Sequence, residues 1–467
     1  MNRFTILIVA CLLSTYSNCY AQFGGGGAFG GAGGGLGGGA GGGAGGGAGG
    51  FPGGIIIDAE GLINSPVGQR INPSLQKRKL QILAGQHLEP SLNTVSELRK
   101  VSLNRVDQQL KLALESGQAP SFELQHLAGL TSIEYVSFDA ATNDVILAGP
   151  AEGFAAATGG RVIGVNSGRP TLKLDDLLVT LRMTSDNQQL GCSFDPEPSR
   201  LAKANAWSRA NSTPSSLAVA RQRFFQMAEI LGTWNVTVFG LPDDCHAALT
   251  AVEADYDLKR LALGIAKPGI RRFYSHLHFA RPGENTMRRW WLAPRYNVIE
   301  KSPDGTVFRL SGPRMQLMSQ EELVDIQGNR SNAPFTEVSA EKYTQQFNKH
   351  MTALCKEVPS FAATQNLFDL AVVSALIRRA NLEGQIDWQP EVLKDHSALP
   401  YQSYSTPTQV PSLVNVKSSG RSLLIGLVGG GVTIVPDKII QRTNELEAPQ
   451  VPASLTATQT ATNWYWD

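Results

Sequence analysis

The sequence predicts an α+β protein: a helical N-terminal part, a mixed strand and helix middle with antiparallel hairpins, and a helical then β C-terminal part. Three observations lead there. Short runs of alternating polarity flank turn residues, as in Ile133–Phe138, Ala141-Thr142-Asn143-Asp144 and Val145–Leu147. Apolar stripes at helical spacing follow capping serines, as in Ser102 before Leu103, Val106, Leu110, Ala113 and Leu114. Between Leu190 and Gly264 the two patterns alternate, which favours a mixed middle domain.

The N-terminal residues read as an export signal. Met1-Asn2-Arg3 is a short positive start, and Phe4–Leu13 is an apolar run too short to span a bilayer comfortably. Ala21 ends it, with cleavage expected before Gln22, so residues 1–21 form a signal peptide. Ile8-Val9-Ala10-Cys11 fits a lipobox loosely but sits very early. Residues 22–54 form a glycine-rich flexible linker. Such a tract buries nothing and reaches about 30 Å as a random coil.

Residues 55–160 should hold helices and a hairpin. A helix starts near Asn72-Pro73-Ser74 with Leu75, Ile82 and Leu83 on one face. The Ser102 helix closes at Gly117, and Ser121 caps a short helix reaching His126, expected to pack rather than bind. The hairpin 133–147 runs into Gly149-Pro150-Ala151-Glu152-Gly153, which lacks the Lys-Ser/Thr of a phosphate loop and reads as a turn. The same strand–turn–strand pattern recurs from Tyr296 to Pro313, ending Leu310-Ser311-Gly312-Pro313 where the first ends Leu147-Ala148-Gly149-Pro150. A third runs from Leu413 through Ser419-Gly420 to Gly426.

Residues 161–335 read as a mixed domain. Leu177–Leu181 suits strand or helix, and Leu190–Phe194 a strand. Asp195-Pro196 suits a helix start, with Trp207 in that helix. Ser216–Leu231 is a second helix, Trp234–Phe239 a strand, and Asp243 or Asp244 caps a helix ending at Gly264. Residues 336–445 hold two helices, near 340–356 and 361–380, then Gly-rich strand 423–435. The second helix is apolar nearly all round, hence buried, with Ser360 as its cap, and its most apolar stretch, Leu367–Ile377, is too short to cross a bilayer. No transmembrane helix is expected after the signal peptide. Residues 446–467 read as a loose tail, although Trp464-Tyr465-Trp466-Asp467 suits docking onto the body or a partner.

The most unusual chemistry lies at 251–300. The whole chain carries a net charge of +1. Here arginines crowd among aromatics, so Arg271, Arg272, Arg288, Arg289, Trp290, Trp291 and Arg295 are the candidate binding residues. Arginine beside tryptophan holds anions bidentately and stacks on planar or sugar-like groups. The plainer reading fills the core with the tryptophans. A nearly neutral chain argues against nucleic acid as a partner.

Several fragments together resemble an uncharacterised family of exported bacterial proteins, of planctomycete type, defined by a domain of unknown function. They are Ala148–Gly153, Ala254-Asp255-Tyr256 with Lys259-Arg260, Arg289-Trp290-Trp291 with Pro294 and Tyr296, and Asn366-Leu367 with Asp369-Leu370-Ala371-Val372. The similarity spans most of residues 70–435. It implies no activity, but it implies that Asp255, Tyr256, Arg289, Trp290 and Trp291 share one element.

Two functions follow as expectations. The first is an exported protein of periplasm, surface or medium that binds an anionic polymer, a glycan or an envelope protein, or serves as a scaffold. The second is an exported hydrolase, possible if His276 and His278 lie on one face of a strand as weak metal candidates, with Asp243, Asp244, His246 or Glu253 and Asp257 beside them. HExxH and GxSxG are absent. Glu253/Asp257 and Asp255/Lys259 read as solvated helix charges. Cys245 beside His246 points about 100° away from it on a helix and so makes no nucleophile pair. No cofactor is expected. After cleavage Cys192, Cys245 and Cys355 remain, an odd set that leaves a free thiol and at most one disulfide.

Overall fold

The computed structural model describes residues 56–57, 63–64 and 73–467. It excludes 158–159, 184–186, 212–215, 282–283, 285–286, 321, 325–329, 333–335, 420–421, 442, 446–451, 453–454 and 456–462. The expected signal peptide and glycine linker therefore lie outside the described residues. The fold is α+β.

Two seven-stranded sheets carry the architecture. The order in the first is Arg314–Gln320, Met287–Arg295, Ser422–Ile434, Leu190–Pro196, Thr233–Phe239, Gln409–Pro411, and Asn415–Ser419 pairs with the early half of Ser422–Ile434. Its strands are antiparallel except Met287–Arg295 against Ser422–Ile434. Glycine lets this long strand run between two neighbours. Gly430 has φ +115°, and a Cβ there would stand 1.6 Å from the Trp290 carbonyl oxygen.

The order in the second is Thr443–Glu445, Ile299–Lys301, Val307–Arg309, Tyr135–Asp139, Asp144–Ala151, Ser96–Ser102, Tyr465–Trp466. The first two hairpins read from the sequence join here, through Val307–Arg309 against Tyr135–Ser137. The third joins the other sheet. The Trp464–Asp467 stretch docks onto the body: Tyr465 and Trp466 pair with Val101 and Lys100. The side chain of Asp467 meets the buried Arg99 at 2.8 Å.

Two helices join the layers. His246–Leu263 packs on Ser422–Ile434 and Leu190–Pro196, and against Pro359–Leu382. One continuous apolar cluster reaches from Leu80 to Tyr465. The 24-residue helix Pro359–Leu382 is long and apolar enough to cross a membrane, contrary to the shorter stretch read from sequence, but that apolar window is entirely buried inside the protein.

Several local expectations shift. The first helix, Pro73–His87, turns Leu80 and Ala84 inward and leaves Leu75 and Ile82 exposed. Ser102 and Ser121 cap as expected, and Ser216, read as the start of its helix, proves to be its cap. Glu197-Pro198, not Asp195-Pro196, starts the next helix, because Pro196 still pairs with Trp234 at the strand end. Cys245, rather than an aspartate, caps His246–Leu263, its sulfur accepting from the Ala248 amide at 3.4 Å. Ser360 donates to Asp257 while Val358-Pro359 opens the central helix. The helix 340–356 is two helices, Val338–Lys349 and Met351–Glu357, meeting at His350. Gly149-Pro150-Ala151 is strand and not turn. Its glycine brings the chain close to Ser132, whose oxygen would sit 2.2 Å from an added Cβ.

Candidate functional site

Strand geometry divides the basic-aromatic stretch. Successive side chains on Met287–Arg295 point to opposite faces. Arg288 and Trp290 turn inward, at 1% and 0% exposure. Trp290 packs edge-on against His276 at 5.0 Å and tilts over Tyr343 at 4.8 Å. Arg289 and Trp291 take the other face, where the guanidinium stacks over the indole at 4.6 Å and lies 3.9 Å from Asp195. Arg271, Arg272 and Arg295 are exposed; Arg295 falls on the same strand face as the pair, at its far end, and Arg271 and Arg272 lie outside the strand. The seven candidates therefore do not form one surface: two belong to the core, two form a half-buried stack, and three are solvated.

His276-Leu277-His278 forms a short helix, His276–Phe279, rather than a strand. His276 is buried, shares a hydrogen bond with Ser339 at 3.0 Å and is held neutral by burial and the nearby Arg288. His278 is exposed and stacks on Tyr274 at 4.2 Å. The two imidazoles diverge, so they cannot share an ion. Among the described residues no three His, Cys, Asp or Glu side chains converge in a metal-binding group. The three cysteines are free and buried. Burial pushes the Cys245 thiol up to about 12, which removes it as a nucleophile at neutral pH.

The charges of His246–Leu263 are not solvated. Glu253, Asp255, Asp257 and Lys259 are all buried, because a strand layer covers one side of this helix and Pro359–Leu382 the other. Lys259 pairs with Asp255 and lies 4.1 Å above the Phe194 ring. Burial, only partly offset by Lys259, pushes the Asp255 carboxyl up to about 6. Asp257 is pushed up to about 7 by burial and by Glu253. Glu253 itself pairs with Arg161.

The concave site lies elsewhere. A cleft of about 670 Å³ opens where the two Gly-Pro segments meet, with Pro150 and Glu152 from one and Gly312, Pro313 and Arg314 from the other. That volume suits a small ligand. Its polar wall is built from distant segments. Gln365, on the central helix, donates to the Pro313 carbonyl at 2.9 Å and accepts from Arg169 at 3.1 Å. Glu152 is buried and accepts from the Asn166 amide at 2.7 Å and from the amide and hydroxyl of Ser167. Arg314 donates to the Ile133 carbonyl at 2.8 Å, lies 3.4 Å from Asp369 and covers the Tyr296 ring at 5.6 Å. Tyr296 in turn donates to Asp369 at 2.7 Å. Arg314 holds φ +65°, a left-handed conformation that a non-glycine residue adopts at a cost of about 1–3 kcal/mol. None of Arg169, Arg314 and Gln365 stood out in the sequence. The paired Gly-Pro endings were the visible trace of this site.

A second polar group forms where the loop at 401–404 meets His246. Asp176 takes the His246 Nδ1 at 2.9 Å, leaving Nε2 uncommitted among the described contacts. Tyr404 lies edge-on to the imidazole at 5.2 Å, and Lys173 donates to its hydroxyl at 2.7 Å.

With this geometry in hand, comparison with known proteins adds one finding. Residues 192–272 match a family described as a protein of unknown function, DUF1598. Of the fragments that suggested a family resemblance, Ala254-Asp255-Tyr256 with Lys259-Arg260 falls inside this segment. No curated protein and no solved structure matches the chain.

Proposed function

We propose that this is an exported envelope or surface protein that acts by binding, and that its ligand site is the cleft between the two Gly-Pro segments. The cleft carries the reading. It is a ligand-sized concavity whose polar wall comes from seven separated parts of the chain, one arginine of which is held in a strained backbone conformation. The export half rests on the apolar start of the chain, the glycine tract and the resemblance to exported planctomycete-type proteins. The Arg289–Trp291 stack remains an accessory contact point for an anionic polymer, glycan or envelope protein.

The test is thermal stability of the full chain with acids, saccharides and short peptides, beside a Thr352→Trp variant. Thr352 is exposed at the cleft wall, so an indole there fills the cleft without entering the core. A ligand at a hundred times its dissociation constant stabilises the native state by about 2.7 kcal/mol. A stabilisation lost in Thr352→Trp supports the reading; one retained in that variant refutes the cleft as the site. Cell fractionation tests export, and retention in the cytoplasm refutes it.

The hydrolase alternative now rests on one observation, the Asp176–His246 pair with Tyr404 and Lys173 alongside. A carboxylate on Nδ1 fixes the tautomer that leaves Nε2 able to take a proton. Ester or glycoside cleavage lost in His246→Asn and in Asp176→Asn would establish it. No turnover by the wild type across such a panel would dismiss it.

A further inference from the structure

We infer that the cleft takes its ligand by an anionic group, a carboxylate or a phosphate, with Arg169 as the primary contact. This deepens the binding reading and rests on it.

The argument starts from unspent donors. A guanidinium offers five N–H groups. Among the described residues the Arg169 guanidinium makes one hydrogen bond, to Gln365, and no ion pair. It is part-buried at the cleft wall with no carboxylate in direct contact, Asp369 acting on it only at longer range, so an anion can take its open N–H groups. Gln365 holds that side chain from behind and is itself anchored on Pro313, so the guanidinium is positioned before a ligand arrives. The buried carboxylate of the cleft, Glu152, is turned to its own loop. Asp369 feels both arginines but is occupied by Arg314, Tyr296 and the Ile133 amide.

Arg314 adds a second observation. Its side chain is 11% exposed, and its Nη1 has no hydrogen-bond partner although Nε and Nη2 are engaged. Arg314 sits in the same wall as Arg169, and its spare Nη1 is itself buried, so it adds positive charge behind the wall while Arg169 makes the contact. The rest of the lining mixes Val95, Pro150, Ala151 and Pro313 with small hydroxyl side chains and one exposed carboxylate, Glu97, and it holds no aromatic ring. Stacking of a neutral sugar has no platform here. An ionic group against the arginines, with a small apolar or hydroxyl-bearing body over the prolines, matches what is present.

Binding to the full chain is measured calorimetrically with inorganic phosphate, sulfate, glutarate and digalacturonate. The last two are paired with their neutral counterparts, glutaramide and galactobiose. At least one anion binds and the neutral counterparts do not. Arg169→Ala weakens that binding about ten- to a hundredfold, the loss of a charge-assisted hydrogen-bonded pair. Arg169→Lys recovers part of it, and Arg295→Ala, an exposed arginine outside the cleft, changes nothing. Phosphate against glutarate identifies which anionic group is preferred. If Arg295→Ala weakens binding as much as Arg169→Ala, the attraction is general and the inference falls. If no anion binds, it falls as well. The binding reading then survives only where a neutral member of the wider panel is blocked by Thr352→Trp, which separates the two failures.

Discussion

Removing either member of the Asp255–Lys259 pair should cost about 3–5 kcal/mol at neutral pH, because each leaves a buried ionisable group without its partner. The two losses should depend on pH in opposite directions. In Lys259→Met the carboxyl of Asp255 loses the strongest influence opposing its burial and rises further from its value of about 6. A carboxyl whose folded pKa exceeds its unfolded value contributes stability that is complete below about pH 4 and is lost as pH rises through the folded pKa. The cost of Lys259→Met is therefore small in acid and grows toward alkaline pH. Burial already lowers the pKa of Lys259, and Asp255→Ala removes the carboxylate that opposed this. The folded state then sheds a proton that the unfolded chain keeps, so this variant recovers stability as pH rises. Asp255→Leu with Lys259→Met, apolar in both places, should lie near wild type and respond weakly to pH, as paired apolar replacement of buried ions does. Thermal midpoints of the four proteins between about pH 5 and pH 8 decide it by the sign of each variant's slope. Parallel slopes for the two single variants, or losses under about 1 kcal/mol, would refute a buried pair and restore the solvated one.

Three further outcomes follow from the packing. Trp290→Ala should destabilise by about 3–5 kcal/mol by emptying the space against His276 and Tyr343, while Arg271→Ala, Arg272→Ala and Arg295→Ala stay within about 0.5 kcal/mol; chemical denaturation separates the two classes. Gly430→Ala should abolish soluble expression, since its Cβ overlaps the Trp290 carbonyl, whereas Gly117→Ala, in open space at φ +65°, costs only about 1–2 kcal/mol. Asp257→Asn should flatten the loss of stability that the raised carboxyl of Asp257 imposes as pH climbs from about 4 to about 7, and an unchanged pH profile would place that titration elsewhere.

What could be read from the sequence was what neighbouring residues decide. The hairpins at 135–151 and 299–309 are set by alternation and by their own turns, and Ser102, Ser121 and Ser216 cap helices whose first amides lie three residues on. What failed depends on distant partners. Ser96–Ser102 was missed because Arg99 and Lys100 look solvent-facing until Tyr465–Asp467 covers them. The charges of His246–Leu263 have the spacing of a wet helix, and only Ser422–Ile434 and Pro359–Leu382 make that helix dry. Arg288 and Trp290 looked like the surface half of a binding patch because their arginine and tryptophan neighbours do lie on the outer face. Period-two alternation alone does not say which face is covered. Arg169, Arg314 and Gln365 come from three separate segments, so no local pattern joins them.

The match at residues 192–272 and the cleft divide the molecule in a way that bears on function. The matched segment supplies two adjacent strands of the first sheet, the two helices between them and the helix with the buried pair. Every residue that lines the cleft lies outside it, before residue 170 or after residue 311. Likeness over that segment therefore concerns the framework on which the central helix rests, and Gln365 reaches the cleft from that helix. A chain could share the framework and differ wholly at Arg169 and Arg314. Asp255 and Lys259 belong to the shared part, where their place between sheet and helix makes them determinants of stability. The arginines at the cleft belong to the rest, where Arg314 ties the Ile133 carbonyl, Asp369 and Tyr296 together and Arg169 keeps most of its donors uncommitted. Experiments on the pair thus probe how this fold stands, and experiments on Arg169 test the proposed ligand site.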